Sequence, residues 1–108
     1  MHRLICIDIS ILKQTVKSVL DTYTGEGSNG YNYLTSDPDQ NVFTNVCVGR
    51  LDGKDFAFVD LLVRIAGDHV IIVEDRNSEP LYESLLDAGV PRKKIILVYA
   101  SEPSPEGV

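Results

Sequence analysis

The sequence predicts an α+β domain: an antiparallel β-meander with an N-terminal helix, and a C-terminal helix followed by a final strand. Three observations predict it. A pattern of helical period opens the chain, the middle alternates apolar and polar residues between short turn signals, and Ser78 to Tyr99 reads as a capped helix, a glycine stop and an apolar strand. With 108 residues the chain has the length of one domain, and 44% hydrophobic with 24% charged residues is the balance of a folded globule. Residues 1–108 are therefore expected to form a single domain, with 100–108 an extended tail rich in Pro and Glu.

Two periodicities compete near the N-terminus. Ile5, Ile7, Ile9 and Ile11 alternate as in a strand, while Ile5, Ile9, Leu12, Val16, Val19, Leu20 and Tyr23 share one helical face. The helical pattern lasts longer, so a helix is expected from about Asp8 or Ser10, either of which can cap free N–H groups, to about Thr24. Lys13, Lys17 and Asp21 then lie on its solvated side. Residues 25–30 spell G-x-G-x-x-G, the lettering of a dinucleotide-binding turn. That turn needs a strand before it and a helix after it, so that the helix N-terminus meets the pyrophosphate. Here the order is reversed, and the segment reads as a connector.

Strand-favouring residues occupy Tyr31 to Thr35 and Val42 to Val48, separated by the turn Ser36-Asp37-Pro38-Asp39. Asp52-Gly53 suits a tight hairpin whose two central residues need positive φ. Beyond it, Ala57, Val59, Leu61, Val63 and Ile65 alternate to one side, which is expected to face the core. Phe56, Phe58, Asp60, Leu62 and Arg64 form an opposite side that reads as half-covered. A turn at Gly67-Asp68 leads into a strand from His69 to Glu74. Ser78 is the expected N-cap of the second helix, with Glu79 at its positive pole and Pro80 in its first turn. Leu81, Leu85 and Ala88 give that helix a narrow apolar face, flanked by Tyr82 and Leu86. Gly89 can take the left-handed stop, Val90 can pack back, and Pro91 blocks continuation. Ile95 to Tyr99 is continuously apolar, the pattern of a strand covered on both faces.

The net charge of −6 speaks against direct nucleic-acid binding, because phosphates repel an acidic surface unless a local basic patch outweighs it. The longest basic run, Arg92-Lys93-Lys94, follows a helix end, where cations favour the exposed carbonyls. Cys6 and Cys47 show neither metal or redox spacing nor disulfide density, and read as buried thiols. No signal peptide or membrane-spanning run is visible, so a cytoplasmic placement is expected.

His2 and His69 stand in no catalytic or metal-ligand spacing. The carboxylates of Asp52, Asp55, Glu74 and Asp75 fall at turns and strand ends, and adjacent strand residues point to opposite faces. No catalytic, cofactor-binding or metal residue is assigned and no enzyme is expected; the alternative is a small ligand-binding or enzymatic domain using Glu74, Asp75 and His69. Self-association is a further expectation, since a small sheet leaves edges and a half-apolar face to cover.

The run from Leu85 to Pro103, with its Ala88-Gly89-Val90-Pro91, charged residues and Ile95-Ile96-Leu97-Val98-Tyr99, resembles the signature end of the XisI family. Val48-Gly49 with Asp52-Gly53-Lys54 resembles that family's hairpin, and Asn77-Ser78-Glu79 stands where members usually have Gly-Thr-Glu. Members often carry tryptophans at two strand positions, where this chain has Arg50 and Ile72. The resemblance implies an XisI-like fold and an accessory role. XisI proteins are named as controlling factors for excision of the fdxN element, a DNA segment removed by a site-specific recombinase during heterocyst differentiation in cyanobacteria. They are commonly encoded beside XisH, a nuclease-fold protein, which makes an XisH-like chain the implied partner. A direct DNA-binding excision factor using Arg92-Lys93-Lys94 with Arg50 or Arg64 is the other reading of that role.

Overall fold

A computed structural model describes residues 8–27 and 29–103. Helix α1 spans Ile9–Asp21, and of the two candidate caps Asp8 is the one used: its Oδ1 accepts the N–H groups of Ser10 at 2.9 Å and Ile11 at 3.3 Å. The helix stops short of the expected Thr24 because the Thr22 and Thr24 hydroxyls donate to the Val19 and Asp21 carbonyls, closing the last turn locally. Leu12, Val16 and Leu20 are buried, with Val19 and Tyr23 packed against the core, whereas Ile9 is exposed. The apolar face is therefore narrower than its periodicity implies. Ile5, Cys6 and His2, like the tail beyond residue 103, lie outside the described residues.

Six strands follow in the order in which they occur: β1 (Gly25–Glu26), β2 (Gly30–Ser36), β3 (Val42–Leu51), β4 (Lys54–Ala66), β5 (His69–Asp75) and β6 (Ile95–Leu97). The pairs from β1 to β5 are antiparallel, and β6 joins β5 in parallel. The helix between β5 and β6 explains the change of sense, because a crossover returns the chain in the same direction. Residues 25–30 hold a short strand as well as a connector, and a strand, not a helix, comes next.

Helix α2 (Leu81–Asp87) begins at Pro80, not at Ser78. Its first N–H is satisfied from a distance: Asp75 Oδ2 accepts from Leu81 N at 2.7 Å, while Oδ1 accepts from the Asn77 backbone and side chain. Leu81 and Leu85 are buried, but Ala88 is exposed and does not share their face. At the other end Gly89 has φ +98°, Gly89 N donates to Leu86 O and Val90 N to Leu85 O, both at 3.0 Å. This is the Schellman closure that the Gly-Val-Pro run predicts, and Val90 is buried by it. Tyr23, at the end of α1, bonds Ser84 and the Glu79 carbonyl, while Ile11 and Leu12 lie by Ala88 to Pro91. The two helices are thus antiparallel.

Both helices cover one face of the sheet, over Phe43, Leu61, Val63, Ile65, Val70, Ile72, Ile95 and Leu97. The final strand is shorter than expected. After Leu97 the chain makes a 3-10 turn at Val98–Ala100, Ser101 is left-handed with φ 66°, and Glu102 takes the Leu97 N–H on Oε1 while its own N–H donates to Leu97 O. Tyr99 is consequently exposed.

The largest departure from expectation lies in β4. Its register against β3 shifts between Asn45, which faces Leu61, and Val46, which faces Val59, so Asp60 is an extra residue. Such a bulge exchanges the faces on either side of it. Leu61, Val63 and Ile65 face the core as expected, but Ala57 and Val59 turn to the opposite, open face, and Phe56 and Phe58 move to the helix side. The bulge is anchored: Asp60 Oδ2 accepts from Asn77 Nδ2 at 3.0 Å and the Asp60 carbonyl from Arg76 N at 3.0 Å. Since β5 pairs only with Leu61 to Ala66, the stretch Lys54 to Val59 has β3 on one side and, among the described residues, no strand on the other. The radius of gyration is 15.0 Å, against about 13 Å for a compact chain of this length.

Candidate functional site

The rungs Tyr31–Val48, Tyr33–Val46, Val48–Ala57 and Val46–Val59 place six side chains on the face away from the helices. Tyr33 is 52% exposed and Tyr31, Val48 and Val59 each 41%, and the two tyrosine rings lean together with centroids 4.7 Å apart. A contiguous apolar and aromatic patch of this kind on a small domain is characteristic of an interaction surface. It is bordered by the exposed pair Arg50–Asp55 at 2.9 Å. On the reverse side Phe56 stacks on Phe58, and the Arg76 guanidinium lies 5.1 Å from the Phe58 ring. Between β2 and β3 the backbones approach so closely at Gly30 and Gly49 that a Cβ on either would sit 2.2 Å from a carbonyl oxygen. The aromatic strand pair is therefore seated on a tight backbone contact.

Sequence reasoning missed this surface because it sent Ala57 and Val59 into the core. The available signal was Asp60, a carboxylate in the middle of an apolar strand. A buried amide marks the bulge: Asn45, on the rung of Leu61, is fully buried with neither side-chain nitrogen nor oxygen paired, and half-buried Asn32, on the rung of Cys47, has an unpaired Oδ1.

The residues of the enzymatic alternative do not converge. Glu74 shares a rung with Leu62 and Asp75 with Leu61, so their side chains leave opposite faces. Glu74 pairs with Arg76 at 3.1 Å, and Asp75 is occupied by Asn77 and the start of α2. His69 begins β5, about 20 Å from Asp75 along the strand, beside Asp68 at 3.2 Å. Lys94 bonds Asp68 at 2.7 Å and holds its carboxyl below the usual range. Among the described residues no three His, Cys, Asp or Glu side chains gather as metal ligands. Cys47 is half-buried, not buried.

The basic residues are likewise dispersed. Arg92 donates to the Ile95 carbonyl at 2.7 Å and to Glu102 at 2.8 Å, and sits 5.7 Å from the Tyr82 ring. Arg50 is at the hairpin tip, about 26 Å along β3 from the rung of Arg64. Of the two positions where tryptophan is common, Arg50 is exposed and Ile72 is buried in the core. Among the described residues no helix is long and apolar enough to cross a membrane.

Fold and surface together define a small α+β domain with one helical layer, an apolar patch open on the other sheet face over β2, β3 and the distal half of β4, and no assembled catalytic group among the described residues. The family model described as XisI protein matches residues 8–105, and the chain belongs to the XisI family. Two solved structures from Anabaena variabilis ATCC 29413 share the fold, each with a TM-score of 0.66. One, an XisI-like protein, is 16% identical, with 82% of this chain and 84% of that chain covered. The other, fdxN element excision controlling factor XisI, is 20% identical over 91% of this chain and 95% of that one. Among curated proteins there is no match.

Proposed function

We propose that this protein is a non-enzymatic accessory factor of DNA-element excision, acting in the cytoplasm by binding an XisH-type protein through its open sheet face. Membership of the XisI family supports the accessory role, as does the likeness to a protein described as an excision controlling factor. The observation that carries the binding mode is the exposed Tyr31, Tyr33, Val48 and Val59 patch. Tyrosines in such a patch supply large contact area at low entropic cost, and they dominate interface energies more often than aliphatic residues do.

The test is co-expression with an adjacent XisH-like chain and titration of the purified pair. Complex formation at micromolar concentration is expected, with Tyr33→Lys weakening it at least tenfold. Absence of a complex, or a Tyr33→Lys variant that binds as tightly as the parent, would overturn the reading.

A further inference from the structure

The edge of β4 from Lys54 to Val59, which has no partner strand among the described residues, carries a symmetry of its own. Asp52 and Gly53 have φ of 51° and 77°, the positive pair of a two-residue hairpin turn, so the flanking Leu51 and Lys54 exchange backbone hydrogen bonds. Alternation along an antiparallel ladder then makes Gly49–Phe56 and Cys47–Phe58 the next hydrogen-bonded rungs. The N–H and C=O groups of Asp55, Ala57 and Val59 are left pointing outward, along the side on which β5 is absent. These three residues are arranged symmetrically about Ala57.

We infer that this edge is a homodimer interface, in which β4 pairs antiparallel with β4 of a second copy about a twofold axis at Ala57. Ala57 then faces Ala57 of the second copy, and Asp55 faces its Val59, each rung exchanging two hydrogen bonds. The side chains agree with this register on both faces. Phe56 falls opposite Phe58 of the second copy, which extends the Phe56–Phe58 stack across the axis into a four-ring cluster. Lys54 falls beyond the last exchanged rung, opposite the position of the buried Asp60, whose carboxylate is held by Asn77 of its own chain, and no rung joins like charges. On the open face, Ala57 and Val59 of the two copies make the apolar patches continuous. Lys54 with Asp55 and the bulge at Asp60 bound the edge, and between them Phe56 to Val59 carry no proline and no charge. Its end is set by Arg76 N, which donates to the Asp60 carbonyl. This goes beyond the proposed function, which seats a different protein on the sheet face and does not require self-pairing.

The measurement is the solution mass by light scattering on the eluting peak at micromolar concentration, with far-UV circular dichroism to establish folding. The parent is expected at twice the 11.9 kDa chain mass. Ala57→Lys sets two ammonium groups on one rung across the axis, and Ala57→Pro removes an outward N–H without touching the β3 ladder. Both should run as single chains, whereas Tyr33→Lys, on the open face two strands away, should stay dimeric. If Ala57→Pro does not fold, Ala57→Lys decides, because an exposed lysine leaves the fold intact. A monomeric parent, a dimeric Ala57→Lys, or a strand of another protein on the edge of a monomeric chain would each overturn the inference. The mass of the isolated chain is read without the XisH-type partner, so the two proposals fail separately.

Discussion

The two halves of β4 have similar composition and opposite fates. From Leu61 to Ile65 its alternate residues are sealed beneath two helices, while from Lys54 to Val59 it projects with Ala57 and Val59 exposed on the single chain and, among the described residues, one edge unpaired. Both halves alternate in the same phase, and only the extra residue at Asp60 separates them. Apolar alternation therefore tells how a strand is built but not which of its faces is buried; that depends on what lies across the sheet, and a single bulge can reverse it.

The sharpest test of that division is truncation on either side of the bulge. Leu61→Ala should cost about 2–5 kcal/mol in urea unfolding through lost burial and a residual cavity. Val59→Ala, two residues away, should stay within about 0.5 kcal/mol, as exposed positions do. Equal losses would mean that the distal half is packed as firmly as the proximal one. A smaller effect, of opposite sign, is expected at the boundary. Asn45 is buried with both polar atoms unpaired, so Asn45→Leu should raise stability by about 1–3 kcal/mol by removing an uncompensated desolvation cost. A destabilised variant would show that the amide is satisfied in solution.

The smallest effect concerns the covered half, where Glu102 closes the end of β6. The Leu97 N–H, and then Arg92, hold the Glu102 carboxyl below its usual range. Such a group binds its proton less readily when folded, so its stabilisation is complete above the ordinary glutamate value and is lost as pH falls through the folded one. Unfolding followed from neutral to acid pH should therefore lose less stability in Glu102→Gln than in the parent. The difference should be slight, because the pair is partly exposed. Parallel curves would break the link between Glu102 and the end of the sheet.

Much of the fold was legible because its signals are local. Gly89 with Val90 and Pro91 closes a helix through bonds spanning a few residues, Asp52-Gly53 closes a hairpin within its own turn, and Asp8 caps its own helix. The run around Gly89 also carries the family resemblance, but its residues build scaffold and not the exposed surface. The start of α2 was misplaced because its carboxylate comes from Asp75, across a loop that local capping rules do not span. The candidate surface was hidden for a related reason.

By itself the sequence determined the succession of a helix, a meander, a second helix and a last strand, the Asp8 cap, the Asp52-Gly53 and Gly89 turns and the family, since these rest on short-range sterics and hydrogen bonds. Only the tertiary structure decided which side of β4 is buried, that β6 runs parallel, and that among the described residues β5 leaves Lys54 to Val59 without a partner. Those depend on register and on which strand lies alongside, and such pairings between distant segments leave no mark in the periodicity of any one of them.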